Sequence, residues 1–141
     1  MHPALYLMFA GFLVVGIFWW EHRRQLARHQ GISRYEFVQH FRNVGIVDEV
    51  SGAVYDHFRQ LAGVRSFQPA PLDSLEGIFK MSGEDLDDEL GELLPKLKLE
   101  MPHSGILREW EPTIETLSDV VRWVDWVRTK QDPSVTGSAV R

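Results

Sequence analysis

The apolar segment at the start of the chain restricts the fold more than any other feature. Residues 3–20 read PALYLMFAGFLVVGIFWW and carry no charged side chain. In a helix these residues rise roughly 27 Å, close to the thickness of the hydrocarbon core of a bilayer. Trp19 and Trp20, with Tyr6 near the other end, stand where interfacial aromatic residues are common. The sequence therefore predicts one transmembrane anchor, residues 1–20.

The charges that flank this segment predict its orientation. His22, Arg23, Arg24 and Arg28 follow it closely, whereas only His2 and the amino terminus precede it. Basic residues accumulate on the cytoplasmic side of membrane helices. We therefore expect a single-pass protein of the inner (cytoplasmic) membrane, with the N-terminus outside and residues 21–141 in the cytoplasm.

A cleaved signal peptide and a buried core helix are the two other interpretations of the apolar segment. A cleaved signal peptide has basic residues before its apolar run and small residues after it, and this chain has the reverse. A buried core helix in a small domain is rarely apolar on every side. The pattern favours an uncleaved anchor over both.

Composition excludes several classes of function. The chain has 20 acidic and 15 basic residues, a net charge of −5, so we expect no nucleic-acid partner. It has no cysteine, which removes disulfides and thiolate chemistry. The 6 histidines lie apart, without a helical ligand spacing, and no catalytic triad order or phosphate loop is present. We expect no metal site, no catalytic residues and no enzyme activity.

An acidic amphipathic helix is the most distinctive feature after the apolar segment. Residues 82–102 read SGEDLDDELGELLPKLKLEMP, and the leucines at 86, 90, 93, 94 and 97 form one stripe at helical spacing. Carboxylates in a first turn are favoured by the helix dipole. This helix has more of them than capping requires, which indicates a surface for a basic partner. The predicted partner-binding carboxylates are Glu84, Asp85, Asp87, Asp88, Glu89 and Glu92.

The remaining cytoplasmic sequence also predicts helices, and the signal for strands is negligible. The expected helices are 21–30, 33–44 with the capping box Ser33–Glu36, 48–61 capped by Asp48, a turn at 73–79 capped by Asp73, the acidic helix capped by Ser82, 104–110, and a last helix opened by the box Thr116–Asp119. The sequence does not decide whether the helix 33–44 packs on the others or bridges to another chain.

The order of these helices resembles that of acyl carrier proteins. The acidic helix ends in Leu99-Glu100-Met101-Pro102, similar to the Ile-Glu-Ile-Pro turn of that family, and TLSDVVRWV at 116–124 is similar to its closing T-V-x-D-x-V-x-Y-I pattern. The likeness covers about residues 47–128. It implies an all-α fold: the transmembrane helix 1–20, a juxtamembrane and linker region 21–46, an acyl-carrier-like bundle 47–130 and a disordered tail 131–141.

The resemblance also bears on a cofactor. Carrier proteins open their acidic helix with Asp-Ser-Leu, whose serine carries 4'-phosphopantetheine, whereas this chain has Gly83-Glu84-Asp85-Leu86 near that position. In this respect the chain resembles a group of uncharacterised bacterial acyl-carrier-like domains that carry Gly-Asp-Asp there. We expect no cofactor, because a carboxylate cannot take the arm through the usual phosphodiester. The alternative is phosphopantetheine on Ser82 or, less favoured, on Ser74 of the tripeptide Asp73-Ser74-Leu75.

The tryptophans of the last helix are further candidates for partner binding. Trp123 and Trp126 lie off the stripe formed by Leu117, Val120, Val121, Val124 and Val127, so at least one is expected to be partly exposed. Exposed tryptophans are frequent hot spots of interfaces. The alternative is a second core contact against Phe37 and Phe41.

Together these features predict a non-catalytic, membrane-tethered interaction module. The lipid bilayer and a protein with a basic patch are the expected partners, and an accessory subunit of a bacterial membrane complex is the expected role. The alternative is a working acyl carrier protein, with phosphopantetheine on Ser82, that serves fatty-acyl or lipid synthesis at the membrane.

Overall fold

The computed structural model describes residues 3–132 and residue 134, and these residues form an all-helical fold. The described part contains no strand; its only sheet-like pairing is an isolated bridge between Ser74 and Thr116. The helices are α1 (Pro3–Arg28), α2 (Arg34–Arg42), α3 (Asp48–Ala62), α4 (Leu75–Phe79), α5 (Gly83–Lys96), α6 (Ser104–Leu107) and α7 (Leu117–Gln131). The predicted fold class, a long apolar N-terminal helix followed by a small helical bundle, is confirmed.

Helix α1 joins the apolar segment to the juxtamembrane residues without a break. It is long and apolar enough to cross a membrane. None of the side chains in its apolar portion is buried against the bundle. Such a surface needs an apolar environment, since water would meet large side chains on every side. The helix ends at Arg28, two residues before the predicted end at Gln30.

The bundle core lies between α2, α3, α5 and α7. Its buried side chains follow the predicted helical stripes and include Phe37, Phe41, Val50, Val54, Phe58, Leu90, Leu93, Leu94, Leu117, Val120, Val121, Val124 and Val127. Helix α2 packs directly on α3, with the rings of Phe37 and Tyr55 edge-to-face at 5.2 Å. The helix 33–44 therefore belongs to the bundle of its own chain.

Three of the predicted helix caps are confirmed and two are wrong. The capping boxes at Ser33, Ser82 and Thr116 all form, each with a carboxylate three residues later. Asp48, however, lies inside α3 and pairs with Arg42, so the N-cap position falls to Val47. Asp73 accepts the N–H of Ala70 instead, and Ser74 caps α4. In both cases a partner outside the helix competed successfully for the carboxylate.

The end of α1 is docked on the bundle through apolar and polar contacts. Leu26 is 4% exposed. Just beyond the helix, His29 Nε2 lies 2.9 Å from Asp73 Oδ1, and the ring stacks on Phe67. The carbonyl of Gly63 accepts a hydrogen bond from Arg23. These contacts attach the long helix to the loop before α4 and to the end of α3.

Two other helix ends differ from the expected ones. Helix α6 starts at Ser104, as expected, but stops at Leu107 and not at residue 110. Helix α7 continues to Gln131, whose side-chain amide donates to the carbonyl of Glu100 at 2.6 Å. Apart from residues 131, 132 and 134, the tail predicted at 131–141 lies outside the described residues.

Glycine substitutions test the junction between α1 and the bundle. A Cβ on Gly31 would stand 1.5 Å from the backbone oxygen of Gln68, so Gly31→Ala must displace the loop. We expect its free energy of unfolding to fall by about 1–3 kcal/mol. The control Gly91→Ala adds a methyl group in open space inside α5 and should raise stability by about 1 kcal/mol. Urea unfolding of the full chain in mild detergent, followed by tryptophan fluorescence, measures both; equal effects would contradict the tight junction.

The acidic face of helix α5 as a candidate docking site

Helix α5 presents its leucines to the core and most of its carboxylates to solvent. Leu90, Leu93 and Leu94 are at most 3% exposed, packed in the cluster that contains the buried residues of α3 and α7. The helix has 14 residues. Because its leucine side is buried in the core, the opposite side of the helix faces solvent. We call the six carboxylates of this helix, of which all but the half-buried Glu89 are exposed, the acidic face: Glu84, Asp85, Asp87, Asp88, Glu89 and Glu92.

Two members of the acidic face have structural partners. Asp85 accepts hydrogen bonds from the backbone N–H of Ser82 at 2.7 Å and from its hydroxyl at 2.6 Å. Glu89 accepts from His57. The other four carboxylates, Glu84, Asp87, Asp88 and Glu92, are exposed and form no hydrogen bond or ion pair with any described residue. Their charge is therefore available to a partner.

The capping box keeps Asp85 ionised. Hydrogen bonds from the hydroxyl and the backbone N–H of Ser82 lower the pKa of the Asp85 carboxyl below its ordinary value. A carboxylate that accepts such bonds is stabilised in its charged form. Asp85 therefore contributes a full negative charge to the acidic face at neutral pH while it also caps the helix.

A buried histidine connects the acidic face to α3. His57 is 5% exposed; its Nε2 lies 2.5 Å from Glu89 Oε2, and its Nδ1 lies 2.9 Å from the Lys96 ammonium. An ammonium can only donate, so Nδ1 accepts and the ring proton sits on Nε2, from which it is donated to Glu89. The neutral imidazole of His57 is thus hydrogen-bonded to both Lys96 and Glu89, a cation and an anion of α5.

The same cluster contains a possible set of metal donors. One ligand atom each from His57, Glu89 and Glu92 lie within 4.8 Å of one another. A metal would need an unprotonated ring nitrogen, but Nε2 carries the proton as long as Lys96 donates to Nδ1. These residues could hold a cation only after Lys96 withdrew. Sequence reasoning missed His57, since 32 residues separate it from Glu89 and no local spacing signals the contact.

The two candidate serines lie on one cavity. Ser82 and Ser74 line a space of about 340 Å³ together with Leu75, Met81 and Ile114. Both hydroxyls are occupied by caps: Ser74 Oγ accepts the N–H of Gly77 at 3.0 Å, and Ser82 Oγ is bound to Asp85. The structure therefore brings the two positions together and gives each a capping role.

The two tryptophans of α7 differ in position. Trp123 is 3% exposed and belongs to the core cluster that contains Phe37 and Phe41, so its side chain offers no surface to a partner. Trp126 is half-buried; its ring lies 5.6 Å from that of Trp110, with the Lys130 ammonium 5.8 Å away. Trp123 therefore belongs to the core, and Trp126 keeps a partly accessible ring.

Comparison with known proteins adds no relative. No protein-family model, curated protein or solved structure matches this chain. The likeness to acyl carrier proteins therefore stays a prediction from the motifs of the sequence.

Replacement of the buried histidine tests the network beneath the acidic face. His57→Leu leaves Glu89 and Lys96 without their shared partner, and we expect the free energy of unfolding to fall by about 1–3 kcal/mol. The control His40→Leu removes an exposed ring and should change it by less than about 0.5 kcal/mol. Urea unfolding of the full chain in detergent, followed by circular dichroism, compares them. An unchanged His57→Leu midpoint would show that the network contributes nothing to stability.

Proposed function

We propose that this protein is a non-catalytic, membrane-tethered interaction module that binds a basic protein surface through the acidic face of α5. The observation that carries the proposal is the set of four exposed carboxylates without a partner among the described residues, on a helix whose other side is fixed in the core. Charges arranged in this way orient a partner and accelerate its association.

The tether in this proposal is α1, anchored in the inner membrane with the bundle on the cytoplasmic side. Two cation–π contacts support this placement: the Arg23 guanidinium lies 4.6 Å from the ring of Trp19, and that of Arg24 lies 5.2 Å from the ring of Trp20. Tryptophan beside arginine is typical of the cytoplasmic boundary of a membrane helix. Tethering confines the acidic face to the membrane surface and raises its effective concentration towards a membrane partner. An accessory subunit of a larger bacterial membrane complex suits this arrangement.

Charge reversal on α5 tests the interaction directly. Asp87→Lys with Asp88→Lys changes two exposed positions that make no polar contact with described residues, so the fold should persist. We expect the loss of at least nine-tenths of the partner that co-purifies with the full chain from native membranes in detergent. Binding by the unaltered chain should also weaken as salt is raised, because exposed charges are screened.

The matched control makes the same change of net charge outside α5. Glu49→Lys with Glu111→Lys alters two exposed carboxylates of α3 and of the loop before α7, with the same change of net charge. Co-purification should survive in this variant, and circular dichroism should show equal helicity in both. If the partner is retained by both double variants, the acidic face serves solubility and the proposal fails.

A second candidate function is a working acyl carrier. It rests on one observation: Ser82 is exposed at the N-terminus of α5, on the rim of the cavity that it shares with Ser74. A hydroxyl in that place is open to solvent and close to a space for a small group. Against this, the hydroxyl is engaged by Asp85 on both its donor and its acceptor side.

Intact mass decides between the two functions. The full chain is co-expressed with a phosphopantetheinyl transferase, and we expect no mass gain, because Ser82 is committed to the cap and lacks the Asp-Ser-Leu context. A gain of one phosphopantetheine arm that disappears in Ser82→Ala and persists in Ser74→Ala would establish the carrier function instead.

A further inference from the structure

A groove runs along one side of α1 where the helix meets the bundle. It has a volume of about 840 Å³ and is walled mainly by side chains of α1. Its lower wall is apolar, formed by Val14, Val15 and Phe18. Its upper end is polar, where His22 and Lys80 line it. An apolar channel that leads to a basic group has the division of chemistry found in a phospholipid.

The basic end of the groove comes from the bundle. Lys80 is the residue after α4; it is exposed, and its backbone adopts the left-handed conformation with φ 55°. The turn is held by its N–H, which donates to the carbonyls of Leu75 and Glu76. The Lys80 ammonium forms no ion pair with any described residue. A local backbone constraint thus places an unpaired cation beside α1.

The height of Lys80 along α1 matches that of lipid headgroups. Trp19 and Trp20, with Arg23 and Arg24 over their rings, mark the membrane boundary of the proposed anchor. His22, which shares both the groove and an adjoining cavity with Lys80, lies about 5 Å further along the helix than Trp19. Lys80 therefore stands beside the phosphate layer, and the apolar wall lies in the hydrocarbon.

We infer that this groove binds one anionic phospholipid, with an acyl chain along Val15 and Phe18 and the phosphate at the Lys80 ammonium. The inference rests on the proposed membrane anchor. It adds a partner that the acidic face does not explain, since the polar contact offered to the lipid phosphate is the Lys80 cation. The bound lipid would hold the α4–α5 connection against the membrane and so fix where α5 begins.

Acidic side chains also lie around the groove. Glu21 lines its upper end, and Asp85 and Glu89 line the adjoining cavity with Lys80. Asp85 and Glu89 accept hydrogen bonds from Ser82 and His57, and neither forms an ion pair with Lys80. Glu21 is exposed and forms no hydrogen bond or ion pair with any described residue.

The number of phospholipids that stay bound to the chain tests the inference. The full chain is released from nanodiscs of equal parts phosphatidylglycerol and phosphatidylcholine, and native mass spectrometry counts the lipids that remain bound. We expect the unaltered chain to retain one phosphatidylglycerol in preference to phosphatidylcholine. Lys80→Gln should lower that retention about fivefold, the effect of one basic group near an anionic lipid. Val15→Trp fills the groove and should remove the retention of both lipids.

Each variant has a matched control. Lys98 is also an exposed lysine after a helix, with φ 58°, but it lies away from the groove, so Lys98→Gln should retain lipid normally. Leu13 does not line the groove, so Leu13→Trp should also behave like the unaltered chain. Circular dichroism confirms that all four variants remain folded.

Three outcomes would be decisive against the inference or its basis. Equal phosphatidylglycerol retention by the unaltered chain and Lys80→Gln would overturn the lipid site alone. The inference would also fail if Val15→Trp kept its lipid and no longer formed a dimer that cross-linking detects in the unaltered chain. The groove would then hold α1 of a second copy. A chain that sodium carbonate extracts from membranes would instead refute the anchor of the proposed function.

Discussion

The docking of α1 on the bundle is the contact on which the arrangement of all other surfaces depends. If the chain were flexible after residue 20, neither the acidic face nor the groove would have a defined position relative to a bilayer. Leu26 is buried, and the junction beyond it is polar. Asp73 lies at its centre: burial raises the pKa of its carboxyl, while hydrogen bonds from Ala70 N–H and His29 partly oppose this. A buried carboxylate with two partners has few alternative geometries, so this contact fixes orientation more than it adds stability.

The junction brings opposite charges close together without neutralising them. Asp85 and Glu89 line the same small cavity as His22 and Lys80, so the start of α5 lies beside the boundary of the proposed anchor. An acidic helix is repelled by anionic lipid, and basic residues placed between the two reduce that cost. Lys80 lines the cavity beside Asp85 and Glu89, and Arg23 and Arg24 lie at the same boundary of α1. In the proposed function, the acidic face would then bind a basic protein near the membrane without repulsion between the bundle and the lipid.

The sequence predicted the parts of this structure that depend on local physics. Periodic leucines and valines gave the stripes of α5 and α7, and a serine or threonine followed by a carboxylate gave three capping boxes, because these signals act over one or two turns. The sequence pattern did not reveal partners from other segments that compete for a capping side chain. Asp48 and Asp73 have the sequence context of helix caps, but Asp48 pairs with Arg42 and Asp73 accepts the N–H of Ala70. Trp123 lies off the apolar stripe and is still buried, because α7 is covered on more than one side.

The candidate site divides in the same way. Exposure of Glu84, Asp87 and Asp88 follows from the leucine stripe alone, since a residue opposite a buried face must point to solvent. The link from Glu89 to His57 and Lys96 depends on how α5 lies against α3, which no local pattern encodes. The groove at Lys80 depends on two segments about sixty positions apart along the chain meeting at one height. Ser82 illustrates the competition between roles: its hydroxyl contributes about 1 kcal/mol as an N-cap. A covalent group on that oxygen would remove the proton it donates to Asp85 and weaken the start of the helix that carries the acidic face.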